Sequence, residues 1–374
     1  MTPLLSIIVP TKNRYKYLYY LIELINDFES NDIELVIQDN SDDNTEFVSY
    51  LNKVKKSWLH YFYCSDRLTS IENFDKAVLN SKGRYVCFIG DDDGVTRQIV
   101  DCVHLMEDNN IEAAKGLKTM YFWPETGKDG GLLVVEKAKR RTFKYLNPLI
   151  ELKRSFSRGL ENLGEIPVLY TGIVKRTILD DIFLKYKTYF PGGASADIAN
   201  GVALCFYVKR FAKIYTPLVI TGTSSMTGSV SNRRRLLEFS EVSFISPKVG
   251  ENWEGTLPPF WSGQLVWPES AIKSLRVMGK ESFILDMNVN RIMALFLTKN
   301  NLHFSDYTNY YQSSVKTLFE ILRIKSVDSY RTIINALIRI VTKNKYGLGT
   351  KRYINNETIK KAEKIISSSN GMIK

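Results

Sequence analysis

Residues 72–93 read ENFDKAVLNSKGRYVCFIGDDD. The first half continues a helical stripe in which Ile71, Phe74 and Val78 share one face. The second half contains a short run of apolar and aromatic residues at 85–89, which is typical of a strand buried on both faces of a sheet. A helix followed by a buried strand that ends in three aspartates predicts an α/β unit with a polar site where the strand ends.

The same alternation occupies the first 110 residues. Further strand-like runs lie at residues 5–9, 34–38 and 59–63, and helical spacing fills the gaps between them. Strands and helices that alternate in this way join parallel neighbours through right-handed crossovers. We therefore predict an α/β fold with a Rossmann-like, mostly parallel sheet flanked by helices, and we assign residues 1–110 to its first half.

The second half of this domain is predicted at residues 111–235. Strand-like segments at 168–174 and 213–221 enclose a helix from about residue 196 to 208. The polar stretch 222–235 is predicted to be a mobile loop, and the basic stretch 137–158 is predicted to lie outside the sheet as a helix or loop.

Residues 236–374 are predicted to form a mainly helical, basic C-terminal region. From Lys299 onward there are 14 Lys and Arg against 5 Asp and Glu, so this segment holds most of the net charge of +11. Within it, residues 329–345 form an amphipathic pattern with Ile333, Leu337 and Val341 on the apolar face. That helix could pack as ordinary core, or its cations could contact an anionic membrane surface.

The composition is that of an ordinary globular protein. Of 374 residues, 44% are hydrophobic and 24% are charged, which excludes wholesale disorder. The four cysteines show no C-x-x-C spacing, which favours a reducing compartment over a zinc site or a disulfide framework. No run of eighteen apolar residues occurs, so we expect no membrane-spanning helix.

Polar residues follow three of the predicted strands. They are residues 10–14 (PTKNR), Asp39 with Asn40, and residues 90–93 (GDDD). Ligands of open parallel sheets bind outside the carboxyl ends of the strands, so these groups are expected to converge on one crevice.

The three aspartates of residues 91–93 repel one another unless a cation or hydrogen bonds compensate their charges. Carboxylate oxygens select Mg or Mn, and a metal held by one or two carboxylates keeps positions for diphosphate oxygens. The alternative is a solvated acidic turn. Asp39 could accept a hydrogen bond from a nucleobase, or it could simply form a turn.

These motifs resemble glycosyltransferase family 2, whose members have the GT-A fold. The resemblance rests on SIIVPTKNR (6–14), ELVIQDNSDDNT (34–45) and residues 72–93. It implies a nucleotide diphosphate sugar donor and a Mn or Mg cofactor. One departure is Gly90, which stands where the usual D-x-D motif has its first aspartate. The resemblance implies that Pro10, Thr11 and Asp39 contact the nucleoside, that Asp91 contacts its ribose or a metal-bound water, and that Asp92 binds the metal. Because of the departure at Gly90, any of Asp91, Asp92 and Asp93 could be the metal ligand. Asn13 is a further nucleotide-side candidate, and Arg67 and Asn73 are weaker ones.

Inverting members of this family carry a carboxylate about a hundred residues beyond the metal motif, near the start of a helix. Asp197 in FPGGASADIANGVAL (190–204) fits this description and is expected to be the catalytic base. It could instead only stabilise the first turn of its helix. Asp180 and Asp181 are rivals that look solvated.

Two further segments are candidates for ligand contact. In the loop 222–235, Ser224, Ser225, Arg233 and Arg234 could bind the diphosphate or the acceptor, because arginine suits phosphate oxygens. The aromatic residues around Pro258 could stack on a sugar ring, although such clusters are more often core. They are Trp253, Phe260, Trp261 and Trp267.

The resulting expectation is an inverting, metal-dependent glycosyltransferase that acts on a glycan or lipid-linked glycan in bacterial surface polysaccharide synthesis. It is expected in the cytoplasm, free or attached to the inner face of the plasma membrane. A non-catalytic nucleotide- or glycan-binding protein of the same fold is an alternative. A sugar nucleotidyltransferase is less favoured because PTKNRYKYL has no glycine, and nothing indicates a nucleic acid partner.

Overall fold

A computed structural model describes residues 2–127, 130–137, 142–226, 236–242, 245–342 and 350–369. Its strands, in chain order, are β1 (Leu5–Thr11), β2 (Ile33–Asp39), β3 (Leu59–Tyr63), β4 (Tyr85–Phe88), β5 (Gly94–Val95), β6 (Ala113–Leu117), β7 (Thr119–Phe122), β8 (Leu132–Glu136), β9 (Phe143–Leu146), β10 (Gly172–Lys175), β11 (Phe211–Pro217), β12 (Val219–Thr223) and β13 (Thr350–Tyr353).

The helices of the described ranges alternate with these strands in the first part of the chain and dominate the last part. They are α1 (Tyr15–Asn26), α2 (Thr45–Val54), α3 (Ser70–Leu79), α4 (Gln98–Asp108), α5 (Pro148–Ser157), α6 (Arg176–Tyr186), α7 (Ala196–Tyr207), α8 (Gly263–Val277), α9 (Val289–Asn300), α10 (Ser314–Thr342) and α11 (Ile359–Ser369).

Eight strands form the main sheet, in the order β3-β2-β1-β4-β10-β6-β11-β9. The first four are parallel, as the alternating pattern predicts. All residues of β1, β2 and β4 are buried, as expected for strands that are covered on both faces of a sheet. β10 is antiparallel to both of its neighbours and joins this half to β6 and β11. The predicted α/β fold with a large, helix-flanked sheet is confirmed.

A second sheet has the order β13-β8-β7-β12-β5. Its strand β12 brings Gly222 against the acidic segment, where a Cβ on Gly222 would lie 1.8 Å from the carbonyl oxygen of Asp92. Only glycine allows this approach of two backbones. The second sheet therefore holds the end of β12 directly behind the aspartates that follow β4.

Two predicted segments differ from the structure. The basic stretch 137–158, expected outside the sheet, contributes the edge strand β9, whose residues pair with β11, as well as α5. The stretch 222–235, expected to be a loop, begins inside β12, and residues 227–235 lie outside the described residues. The C-terminal region, predicted to be mainly helical, also contributes the strand β13, which pairs with β8.

The helices after residue 236 share a core with the main domain. Buried residues of α8, α9 and α7 belong to one hydrophobic cluster on one face of the main sheet. On the other face, Ile359, Ala362 and Ile366 of α11 pack into the cluster that contains α1. No helix in the described part of the chain is both long and apolar enough to cross a bilayer.

Candidate active site

A cavity of about 1010 Å³ opens at the carboxyl ends of β1, β2 and β4. The three polar strand ends predicted to converge all contribute to its wall, which confirms the topological expectation. The opposite wall comes from the start of α7 and from α8 and the segment before it. Lining residues include Pro10, Thr11, Arg14, Asn40, Ser41, Arg67, Asn73, Asp91, Asp92, Tyr170, Asp197, Trp261 and Trp267.

Arg14 makes ion pairs with two of the three aspartates. Its Nη1 lies 3.1 Å from Asp91 Oδ1, and its Nη2 lies 2.7 Å from Asp92 Oδ2. Ser224 joins the cluster, since its hydroxyl donates to Asp92 Oδ2 at 2.7 Å and accepts from Arg14 Nη2 at 3.0 Å. Burial opposes the charge of Arg14, but the two carboxylates outweigh it and raise the pKa of the guanidinium.

Asp91 is nearly inaccessible and has a second support. Its Oδ2 accepts a hydrogen bond of 2.8 Å from the hydroxyl of Thr11 at the end of β1. Its Oδ1 is buried and, apart from the ion pair with Arg14, accepts no hydrogen bond within the described residues. Burial raises the pKa of Asp91 to about 7, although Arg14 opposes this rise.

Asp93 is held in a different way. Its Oδ1 accepts from the backbone N–H of Gly222 at 2.7 Å, and its Oδ2 accepts from the N–H of Gly90 at 2.8 Å and the hydroxyl of Tyr170 at 2.9 Å. Burial and the neighbouring Asp92 raise the pKa of this carboxyl. Asp93 does not line the cavity, so its geometry favours a structural role over the predicted metal role.

Gly90 occupies the place where the D-x-D motif has an aspartate. A Cβ there would lie 3.2 Å from Asp93 Oδ2 and 3.3 Å from Asp92 Oδ1. Such contacts require the two carboxylates to move. Glycine at this position therefore leaves room for the carboxylates of Asp92 and Asp93.

Asp39 is completely buried and does not reach the cavity. Its Oδ2 accepts from the hydroxyls of Tyr15 and Tyr61 at 2.7 and 2.6 Å, and its Oδ1 accepts from the N–H of Ser41 at 2.8 Å. Burial, followed by contact with Asp39, raises the pKa of Tyr61. The predicted nucleobase contact is not favoured, because protein donors already engage both carboxylate oxygens.

The next residue, Asn40, lines the cavity and fixes the segment that carries Arg67. Its Nδ2 donates to the carbonyl oxygens of Cys64 and Asp66 at 2.8 and 2.6 Å, and its Oδ1 accepts from the N–H of Leu68. Arg67 itself is exposed at the cavity wall. These bonds give this segment a fixed backbone at the predicted nucleotide side.

Asn13 does not line the cavity, but it connects the first two strand ends. Its N–H donates to Ser41 Oγ at 2.7 Å, and its side chain exchanges two hydrogen bonds with Asp42. Its φ of 60° is left-handed, a conformation that asparagine tolerates better than most residues. Asn13 thus shapes the rim of the cavity.

Asp197 lies in the first turn of α7, as predicted, and faces the cavity that contains Asp91 and Asp92. No hydrogen bond to its carboxylate is found within the described residues. Burial raises its pKa to about 6. The rivals Asp180 and Asp181 lie on α6, half-buried and exposed, and neither lines the cavity.

Only some of the remaining candidates from the loop and the aromatic segment lie at the cavity. Ser224 contacts Asp92, whereas Ser225 is exposed and does not line the cavity. Arg233 and Arg234 lie outside the described residues. Of the four aromatic residues, Trp261 and Trp267 line the cavity, while Trp253 and Phe260 pack against the core.

The Asp91–Asp92 pair has the donor chemistry of a divalent cation site. It offers hard carboxylate oxygens, of which Asp91 Oδ1 has only the ion pair with Arg14 at 3.1 Å and accepts no hydrogen bond within the described residues. Within the described ranges, no group of three or more His, Cys, Asp and Glu side chains could hold a metal by itself. An ion here would therefore need oxygens from a ligand, as expected for a metal that binds with a diphosphate.

Sequence reasoning did not assign roles to Arg14 or Tyr170. Arg14 stands in the quoted strand end PTKNR, but its pairing with residues 77 and 78 positions away has no local signature. Tyr170 lies in the segment 168–174 that was predicted to be a strand, and it contacts the acidic segment from the antiparallel side.

The helix-flanked sheet, its crossover order and the acidic cavity at the strand ends are consistent with the GT-A fold. Residues 6–163, less than half of the chain, match the model of the glycosyl transferase family 2. The match includes all three polar strand ends but not Asp197.

Solved structures with overall similarity include three of S. aureus TarS. TarS 1–349 in complex with UDP-GlcNAc is 14% identical, with 95% of this chain and 97% of that chain covered and a TM-score of 0.47. The complex with UDP is 15% identical, with 94% and 96% covered and a TM-score of 0.44. A further TarS structure is 16% identical, and this chain covers 36% of its length, with 59% of this chain covered and a TM-score of 0.43. A search of curated proteins gives no match.

Proposed function

We propose that this protein is an inverting glycosyltransferase that moves a sugar from a nucleotide diphosphate sugar to a hydroxyl group of a glycan. The observation that carries the proposal is the shared cavity of Asp197 and the Asp91–Asp92 pair. A single displacement requires a carboxylate that acts as general base on the acceptor hydroxyl. It also requires groups that stabilise the leaving diphosphate. The cavity volume of about 1010 Å³ is sufficient for a nucleotide sugar.

Asp197 is the proposed general base. Its carboxylate accepts the proton of the acceptor hydroxyl while the acceptor oxygen forms a bond to the anomeric carbon. The bond from that carbon to the diphosphate breaks in the same step, and the nucleoside diphosphate leaves with the electron pair. One displacement inverts the anomeric configuration, and no covalent enzyme intermediate is needed.

Asp91 and Asp92 are the proposed ligands of a Mn or Mg ion. When bound, such an ion neutralises the charge that develops on the leaving diphosphate. Thr11 and Ser224 orient the two carboxylates through the hydrogen bonds at 2.8 and 2.7 Å. Arg14 shares these carboxylates and supplies a second positive charge beside the diphosphate.

The nucleoside is proposed to lie between the ends of β1 and β2, where Pro10, Thr11, Ser41 and Arg67 form the wall. The acceptor is proposed to enter from the side of α7 and α8. Trp261 and Trp267 line this side and offer apolar faces for a sugar ring.

A membrane surface is the proposed partner for an acceptor that is linked to lipid. One face of α10 exposes large apolar side chains at helical spacing: Val315, Leu318, Phe319, Leu322, Tyr330 and Ile333. Ile333 is 59% exposed, so it is not the core residue that one interpretation of residues 329–345 predicted. The excess of nine positive charges from Lys299 onward complements anionic lipid headgroups.

A panel of nucleotide sugars tests the proposed donor and chemistry. Thermal unfolding is measured with UDP-, GDP- and CDP-sugars, with and without MnCl₂, and hits are then assayed for transfer and product anomer. A ligand at one hundred times its dissociation constant adds about 2.7 kcal/mol of stability. Stabilisation by no nucleotide sugar, or a product that retains configuration, would refute the proposal.

A further inference from the structure

A second cavity of about 590 Å³ is lined by residues of β6, β7, β11 and β12 and of α5 with the segment that follows it. Tyr170 lines the active-site cavity and the next residue, Thr171, lines this one. Likewise, Thr221 faces the second cavity while Gly222 contacts Asp93. The two cavities share no lining residue, so the second is a separate space that the proposed transfer reaction does not use.

The wall of the second cavity carries an excess of positive charge. Its ionisable residues are Lys115, Lys118, Arg154, Arg158 and Lys213 against Glu136, Glu151 and Glu165. Two pairs neutralise each other, Lys213 with Glu165 at 3.0 Å and Arg154 with Glu151.

Three cations, Lys115, Lys118 and Arg158, have no carboxylate partner in the described part of the chain. Glu136 offsets one of these charges, which leaves a net charge of two positive units.

Lys115 lies deepest among these cations. Its Nζ donates to the carbonyl oxygen of Gly164 at 2.7 Å, so an uncharged acceptor is its hydrogen-bond partner. Burial lowers its pKa to about 8, and the nearby Lys213 and Lys118 add to this effect while Glu165 opposes it. An anion placed among these lysines would relieve their repulsion.

Thr119 borders the cavity but contributes no donor to it. The residue is only 1% exposed, and its hydroxyl oxygen is buried without a hydrogen-bond partner within the described residues. A ligand in the cavity does not reach this hydroxyl, so the cations are the groups available to bind it.

We propose that this second cavity binds a phosphorylated sugar, with the phosphate held by Lys115, Lys118 and Arg158. A dianionic phosphate matches the net charge of the wall, whereas a carboxylate would leave one charge uncompensated. The volume is far larger than a phosphate ion needs and falls in the range of sites for small organic ligands.

Calorimetry at constant ionic strength tests this proposal with two probes, inorganic phosphate and a hexose phosphate. The measurements are made in EDTA, so that no metal ion can hold phosphate at Asp91 and Asp92, and the result does not depend on the proposed transfer activity. We expect saturable binding that is tighter for the hexose phosphate. Equal or weaker binding of the hexose phosphate would overturn the sugar assignment.

Variants of the cavity identify the residues. In the same buffer, the exposed pair Lys118→Ala/Arg158→Ala and the buried change Lys115→Met should each weaken phosphate binding by about tenfold or more. The matched control Lys53→Ala/Lys56→Ala removes two exposed cations elsewhere and should bind normally. Equal binding by the control and the cavity variants, or no saturable binding, would overturn the proposal.

Proton uptake adds a readout that a purely structural role of Lys115 would not change. Because an anion raises the pKa of Lys115 from about 8, phosphate binding at pH 8 should take up protons. The uptake is measured from binding enthalpies in buffers of different ionisation enthalpy. It should disappear in Lys115→Met, and an unchanged uptake in that variant would contradict the assignment.

Discussion

Arg14 Nη2 lies 2.7 Å from Asp92 Oδ2, so the guanidinium occupies the side of the acidic pair that faces the cavity. A divalent ion bound to Asp91 and Asp92 would either share these carboxylates with the guanidinium or displace it. Arg14 therefore stabilises the two carboxylates, and in the proposed mechanism it would lie close to the diphosphate when the ion is bound.

Replacement of Arg14 by alanine should lower the stability of the protein, and a divalent ion should restore part of it. Removal of one partner of a buried ion pair costs about 3 kcal/mol, because the other charge stays buried. We expect a lower thermal midpoint for Arg14→Ala, and a larger rise with MnCl₂ than in the wild type. The control Arg84→Ala breaks an exposed pair with Glu107 and should cost at most about 1 kcal/mol. An equal response to MnCl₂ in Arg14→Ala and wild type would show that the ion and the guanidinium do not compete.

Asp92→Asn should abolish metal-dependent transfer while the fold survives. The amide keeps the size of the carboxylate and can accept from Ser224, but it is a poor ligand for Mg or Mn. Initial rates are measured across a MnCl₂ series and in EDTA, with Asp108→Asn on the exposed side of α4 as the control. Full wild-type activity in EDTA would contradict the metal role.

Asp197→Asn should reduce turnover by at least ~10²-fold with donor affinity nearly unchanged, as expected for loss of a general base. The wild-type rate should also fall as the pH drops below about 6, because burial raises the pKa of Asp197 to that value and only the ionised form accepts a proton. We expect this acidic limb to vanish in the variant. Asp181→Asn, which changes an exposed carboxylate, is the matched control, and a normal rate for Asp197→Asn would remove the basis for the proposed mechanism.

Asp39→Ala should reduce stability even without nucleotide. The change leaves the hydroxyls of Tyr15 and Tyr61 without their buried acceptor, which costs about 1–3 kcal/mol. Urea unfolding of the ligand-free protein measures this cost, and Tyr15→Phe/Tyr61→Phe gives the same packing without the two donors. A higher donor KM with unchanged stability would instead restore the direct nucleobase contact that the sequence suggested.

The convergence of the strand ends could be predicted because it follows from chain topology. Parallel strands with right-handed crossovers bring Thr11 and Asp91 to the same edge of the sheet, although the two residues are far apart in sequence. The hydrogen bond of 2.8 Å between their side chains agrees with this expectation. The start of α7 at Asp197 was predictable for a local reason, since a Gly-Gly turn precedes an apolar helix.

The partners of individual side chains could not be predicted in this way. Asp39 in DNSDDNT has the same sequence signature whether it faces a ligand or is buried by Tyr15 and Tyr61. The strand β13 was missed because its residues, TKRY, are half-buried or exposed at a sheet edge and lack an apolar run. Such features depend on tertiary packing, which outweighs local pattern.

The exposed face of α10 gives the last prediction, binding to anionic membranes. Leu318, Phe319 and Leu322 are between 49% and 65% exposed, and each cation near an anionic surface adds about 1 kcal/mol of attraction. We expect the protein to float with anionic vesicles at low salt and to bind neutral vesicles far less. Leu318→Ser/Phe319→Ser/Leu322→Ser should weaken flotation, whereas Leu184→Ser, at an exposed apolar residue of α6, should not. High salt should release the wild type, because screening weakens the charge contribution. Equal flotation of the triple variant and the control would assign the attraction to charge alone, and no flotation at low salt would refute membrane contact.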